Sequence, residues 1–112
     1  MRIKFSINVN GVRKRKPRRN NMPWFLYVGD LFSLVDVKAF TVGEAVEVGL
    51  KLAGGILGGV DRYCVYEGSN ELVIEFWHNG ESIKLIHSDK PSEALMHFYD
   101  AEEAGLVKCV EY

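Results

Sequence analysis

Asn79-Gly80 constrains this chain more than any other pair of residues. The dipeptide readily takes the positive φ angles of a type I′ turn. It sits between two strand-like runs, Glu71–His78 and Glu81–Ser88. A two-residue turn fixes register. His78 should face Glu81, and Phe76, Glu75, Ile74 and Leu72 should face Ile83, Lys84, Leu85 and His87. Leu72, Ile74, Phe76, Ile83 and Leu85 then share one face, which is predicted core. The opposite face mixes Val73, Glu75, Trp77, Lys84 and Ile86. Upstream, Gly68-Ser69-Asn70 joins Arg62–Glu67 to this hairpin. A three-residue link places Cys64 beside Ile74 and Tyr66 beside Leu72, on the core face. The expected unit is a three-stranded antiparallel meander.

The flanking segments follow from the same period and turn arguments. In residues 2–9 Ile3, Phe5, Ile7 and Val9 alternate with Arg2, Lys4, Ser6 and Asn8, the pattern of a half-buried strand. Asn10-Gly11 turns the chain, and Val12–Arg19 would return as a strand with cations on both faces until Pro17 stops pairing. Residues 17–23 read as loop. Trp24–Val28 and Leu31–Val37 read as strands, because aromatic and β-branched residues favour them. The competing reading is a helix from Pro23. Thr41-Val42-Gly43-Glu44 is a capping box, followed by a helical stripe of Val42, Ala45, Val46, Gly49, Leu50 and Ala53. Gly54-Gly55 is expected to end that helix. Asp89 should cap a second helix from near Pro91, with Ala94, Leu95, Phe98 and Ala101 inward and Gly105 closing it. Leu106–Tyr112 is a terminal strand. The fold class expected is α+β. It has a mostly antiparallel sheet (a β-hairpin, a central three-stranded meander and a C-terminal strand) and two helices packed on one face. A single domain spans residues 1–112, with a basic hairpin or loop at 10–22.

Charge is divided unevenly along the chain. Residues 1–19 hold Arg2, Lys4 and six cations of the Val12–Arg19 tract with no acid, a formal +8. Residues 20–112 hold six cations against fifteen acids, a formal −9, and the whole chain is −1. Such asymmetry bears on partners and association, not on fold. The most apolar run, Val42–Val60, carries Glu44, Glu47 and Lys51, so no membrane span is expected. The two cysteines, Cys64 and Cys109, are too few for a four-cysteine zinc site, and no CxxC is present. With no signal-peptide pattern, a cytoplasmic protein with reduced thiols is the expectation. A Cys64–Cys109 disulfide is the alternative if the chain is secreted.

The residues that carry chemistry form no catalytic constellation. Gly54-Gly55-Ile56-Leu57-Gly58-Gly59 follows a helix instead of preceding one, which fails the dinucleotide pattern. It ends in Val60-Asp61, which fails the P-loop pattern. His78 and His87 fall at opposite ends of the predicted hairpin, so they cannot share a metal. His97 lies on a helix, off its apolar stripe. Cys64 is expected as inert packing, and no carboxylate pair is fixed by spacing. No enzyme activity, metal or cofactor is therefore expected.

The chain reads as a small binding protein. Arg13, Lys14, Arg15, Lys16, Arg18 and Arg19 form a cationic ribbon suited to nucleic-acid phosphate, or to a nucleic-acid-bearing protein complex. Trp24 and Trp77 are candidates to stack on unpaired bases. The alternative is an immunity or anti-defence (phage-type) inhibitor. It would bind a nuclease, toxin or defence enzyme through its acidic body, with Glu67, Glu71, Glu75, Glu81, Glu102 and Glu103 as contacts.

Overall fold

The computed structural model describes residues 22–112. The strand expected over residues 2–9, the Asn10-Gly11 turn and the basic ribbon lie outside the described residues. Strand β1 spans Trp24–Val28 and β2 spans Leu31–Val35. They are joined by Gly29-Asp30, whose φ angles of 55° and 68° are those of a type I′ turn. The strand reading of this region holds, and the helix from Pro23 does not form.

Helix α1 spans Val42–Leu57. The Thr41 hydroxyl accepts from the Glu44 amide at 3.1 Å. The Glu44 carboxylate reaches back to the Phe40 amide at 2.7 Å, one residue beyond the ordinary box. The helix does not end at Gly54-Gly55. It continues to Gly58, whose φ of 90° takes the left-handed cap while its amide donates to the Gly54 carbonyl.

Strands β3 (Arg62–Glu67), β4 (Leu72–His78) and β5 (Glu81–His87) form the expected meander. The β4–β5 register is the predicted one at every pair, with Asn79 and Gly80 at φ 53° and 81°. The β3–β4 register differs by one residue. Glu67 faces Leu72 and Val65 faces Ile74, because the link is four residues closed by a Gly68 amide to Glu71 carbonyl bond. A one-residue shift turns every side chain over. Tyr63 and Val65 face the Ile74 core, and Cys64 and Tyr66 lie on the other face.

Helix α2 spans Pro91–Glu103 with Pro91 in its first turn. Asp89 does not cap it. Lys90 holds the cap position without a side-chain bond, and its amide donates to Ser88 Oγ. Strand β6 is Lys108–Glu111. The six strands are antiparallel throughout, in the order β2-β1-β5-β4-β3-β6.

The α+β architecture is as expected, but the two helices pack on opposite faces. α1 covers Leu72, Ile74, Phe76, Ile83 and Leu85, together with Trp24. The second cluster is Val73 and Ile86 against Ala94, Leu95 and Phe98 of α2. The residues between these sets on each strand belong to alternate faces. The half-polar face of the hairpin thus keeps enough apolar surface to seat α2.

Cys64 and Cys109 are register partners on β3 and β6, and their sulfurs are bonded. The reduced thiols expected from composition are replaced by a covalent tie. The Cys64–Cys109 disulfide given as the alternative is the one that forms. The one-residue shift that turns Cys64 away from the Ile74 face is what brings it to Cys109.

Candidate functional site

The carboxylates proposed for an acidic interface do not gather. Glu81 stands at the β4–β5 turn, while Glu67 and Glu71 bracket the link at the opposite end of β4. Glu102 and Glu103 end α2. Glu75 is 3% exposed. Its Oε2 accepts from Ser82 Oγ at 3.1 Å and pairs with Lys84 Nζ at 3.3 Å.

Lys84, itself buried, lies 5.4 Å from the ring centroids of both Tyr27 and Tyr99. The pair is closed by protein on the α2 face of the central hairpin. A buried ion pair of this kind is costly to break from one side. Glu102 covers it. Burial first, then the charge and hydrogen bond of Glu75, raise the Glu102 carboxyl above its ordinary range, against Lys84 and Arg62. Glu75 Oε1 and Trp77 Nε1 are the buried side-chain polar atoms without a hydrogen-bond partner among the described residues. Ser82 and Lys84 both serve Oε2, so Oε1 is the atom of Glu75 left without a donor.

The histidines fall into separate places, as the hairpin register requires. His87 stacks on Trp24 with centroids 3.9 Å apart, and its Nε2 donates to the Met22 carbonyl at 2.9 Å. His78 Nδ1 pairs with Asp61 at 3.1 Å, and the Asn79 amide donates to the same carboxylate. That amide bond holds the Asp61 carboxyl below its ordinary range, and His78 adds to the effect.

His97 Nδ1 meets Glu71 Oε2 at 2.7 Å, and the Tyr66 hydroxyl donates to the same oxygen at 3.1 Å. Burial and then Glu71 raise the Tyr66 phenol. These three line a cleft of about 480 Å³ with Ser69, Asn70 and Ser88. A histidine oriented by a carboxylate is half of an acid–base relay. Among the described residues no hydroxyl or thiol is hydrogen-bonded to His97. No group of three or more His, Cys, Asp or Glu side chains among the described residues is placed to hold a metal.

Trp24 is closed off, and Trp77 is half-buried. Trp24 is 8% exposed, held between His87 and the α1 core. The Trp77 ring lies under the Arg62 guanidinium at 5.2 Å. Further half-buried rings lie on the α2 side of β1 and β2. On the α2 face the helix rests on β4 and β5. It leaves Phe25, Tyr27 and Phe32 of β1 and β2 partly exposed beside Leu34, which is 72% exposed. Phe32 sits edge-on to Phe25 at 6.4 Å and tilted against Tyr27 at 4.7 Å. Asp30 accepts from the Tyr27 hydroxyl at 3.0 Å, fixing that ring and raising its phenol.

Trp24–Val28 and Leu31–Val35 are apolar on both faces, and alternation alone assigns Phe25, Tyr27 and Phe32 to a single face. What the sequence did not reveal is that they pack at the margin of the α2 cluster and stay partly exposed. Comparisons of the chain with protein-family models, with curated proteins and with solved structures found no match.

Proposed function

We propose that this protein binds single-stranded nucleic acid and performs no chemistry on it. The observation that carries the reading is the aromatic row Phe25, Tyr27 and Phe32, which packs against the margin of the α2 cluster and stays partly exposed. Aromatic side chains on an open sheet face stack on bases of any sequence, worth about 1–3 kcal/mol per base.

The cationic tract is close in sequence. Arg19 precedes Trp24, the first residue of β1, by five positions. Arg13, Lys14, Arg15, Lys16, Arg18 and Arg19 would contact phosphates adjoining the bases stacked on β1 and β2. The formal −9 of residues 20–112 confines the contact to that edge, because it repels phosphate elsewhere. Base stacking needs unpaired bases, so single strands are favoured over duplex. The inhibitor reading has less geometric support, since one of its six carboxylates is buried and the rest are dispersed.

The test is fluorescence anisotropy with a labelled oligonucleotide, single-stranded against duplex. Tyr27→Ala and Phe32→Ala should each weaken single-strand binding by about fivefold or more, the fold-change of a 1 kcal/mol stacking loss. Equal affinity in both variants and the unaltered chain would remove the aromatic face from the account.

A further inference from the structure

We infer that two copies of this chain associate through β2, joining their sheets edge to edge. Among the described residues β2 forms one edge of the sheet and β6 the other. The two edges are built differently. β6 has four residues, carries Lys108 and Glu111, and is tied down by the Cys64–Cys109 bond. β2, Leu31-Phe32-Ser33-Leu34-Val35, has no charge, no proline and no glycine. It thus lacks the side-chain devices by which sheets protect an open edge. Two of its apolar side chains, Leu31 at 70% and Leu34 at 72% exposure, are among the most exposed large hydrophobics of the described chain.

The occupant follows from the pattern of the strand. A two-fold axis makes an interface of one patch with itself. β2 is symmetric about Ser33, with two apolar residues on each side. Antiparallel pairing centred there sets Phe32 against the partner's Leu34 and Leu31 against the partner's Val35. The backbone agrees with that register. In a two-residue hairpin the closing pair, here Val28 and Leu31, is hydrogen-bonded. Phe32 and Leu34 therefore point their amides and carbonyls away from β1, and each meets the other across the axis.

The side chains agree as well. Leu31, Ser33 and Val35 lie on the α1 face and Phe32 and Leu34 on the α2 face, so the edge needs a partner strand apolar on both faces. Another β2 is such a strand. The join would continue the row Ile86, Phe25 and Leu34 into the partner's Phe32 and the partner's Tyr27. Each end carries an unfavourable contact, Asp30 facing the partner's Asp36 at one and Asp36 facing the partner's Asp30 at the other. Both are exposed, so salt should screen the repulsion.

Sedimentation equilibrium of the full chain, without nucleic acid, tests the inference independently of the proposed function. Twice the chain mass is expected across a concentration series, with tighter association as salt is raised. Leu34→Lys should weaken association by about tenfold or more. Circular dichroism should stay native, since the side chain is exposed in the single copy. Leu31→Lys repeats the test on the opposite face. A monomer at every concentration overturns the inference. So does a dimer that both variants leave undiminished, because its interface would then lie elsewhere.

Discussion

Gly49→Ala and Gly55→Ala place the same methyl group on the same helix with opposite predicted consequences. In a helix interior, replacing glycine by alanine normally stabilises by about 0.5–1 kcal/mol, because glycine loses more backbone freedom on folding. Gly55 is exposed, and an added Cβ there would meet nothing within 4 Å. It should show that gain.

Gly49 faces the sheet. A Cβ there would lie 2.2 Å from Phe76 Cζ and 2.6 Å from Cε2. Phe76 is fully buried and packed against Tyr63, so its ring cannot simply swing aside. Overpacking of this kind costs about 1–3 kcal/mol, and sometimes more. Set against the helical gain, Gly49→Ala should destabilise by about 1–2 kcal/mol. The helical gain is common to both, so the two variants should differ by the overpacking cost alone, about 1–3 kcal/mol. Urea unfolding at constant slope measures the difference as a shift in midpoint. Gly49→Ala matching or exceeding Gly55→Ala in stability would refute the seating of α1 on Phe76.

Reduction of the Cys64–Cys109 bond frees a closed loop with a sequence separation of 45. Loop-closure entropy puts the expected loss near 4 kcal/mol, read as the change in denaturant midpoint with and without reductant; an unchanged midpoint would contradict the tie between β3 and β6. Glu102 predicts a pH effect of definite sign. Its carboxyl is raised in the folded chain above the ordinary 4.5, so folding is favoured by its bound proton. That contribution is complete below the ordinary value and is lost as pH rises through the folded one. Thermal melts across this interval should show Glu102→Gln removing part of the decline in stability with rising pH, and a slope identical to that of the unaltered chain would show that Glu102 does not hold the proton.

The meander was legible because local signals agree there. Asn79-Gly80 fixed one register through turn chemistry alone, and the structure follows it at every pair. The neighbouring Gly68-Ser69-Asn70-Glu71 link has no such two-residue signature. Choosing three residues over four there turned Cys64 and Tyr66 toward the wrong face and hid the pairing of Cys64 with Cys109. Helix placement was less legible because Val73, Trp77 and Ile86 alternate with Glu75 and Lys84. Only packing shows that Glu75 and Lys84 pair with each other and leave Val73 and Ile86 to α2. The meeting of Glu102 with Glu75 joins residues far apart in sequence, and no spacing rule reaches that far. The aromatic face was half legible. Alternation groups its rings, but their exposure depends on where a helix formed much later in the chain comes to rest.

The most direct measurement of the central claim is a salt titration of single-stranded oligonucleotide binding to the full chain. If all six cations of Val12–Arg19 contact phosphate while bases stack on Phe25, Tyr27 and Phe32, log K should fall against log salt with a slope of about −4, from about 0.7 per phosphate neutralised. Tyr27→Ala should lower affinity without changing that slope. A slope near zero, or no binding at low salt, would contradict the account.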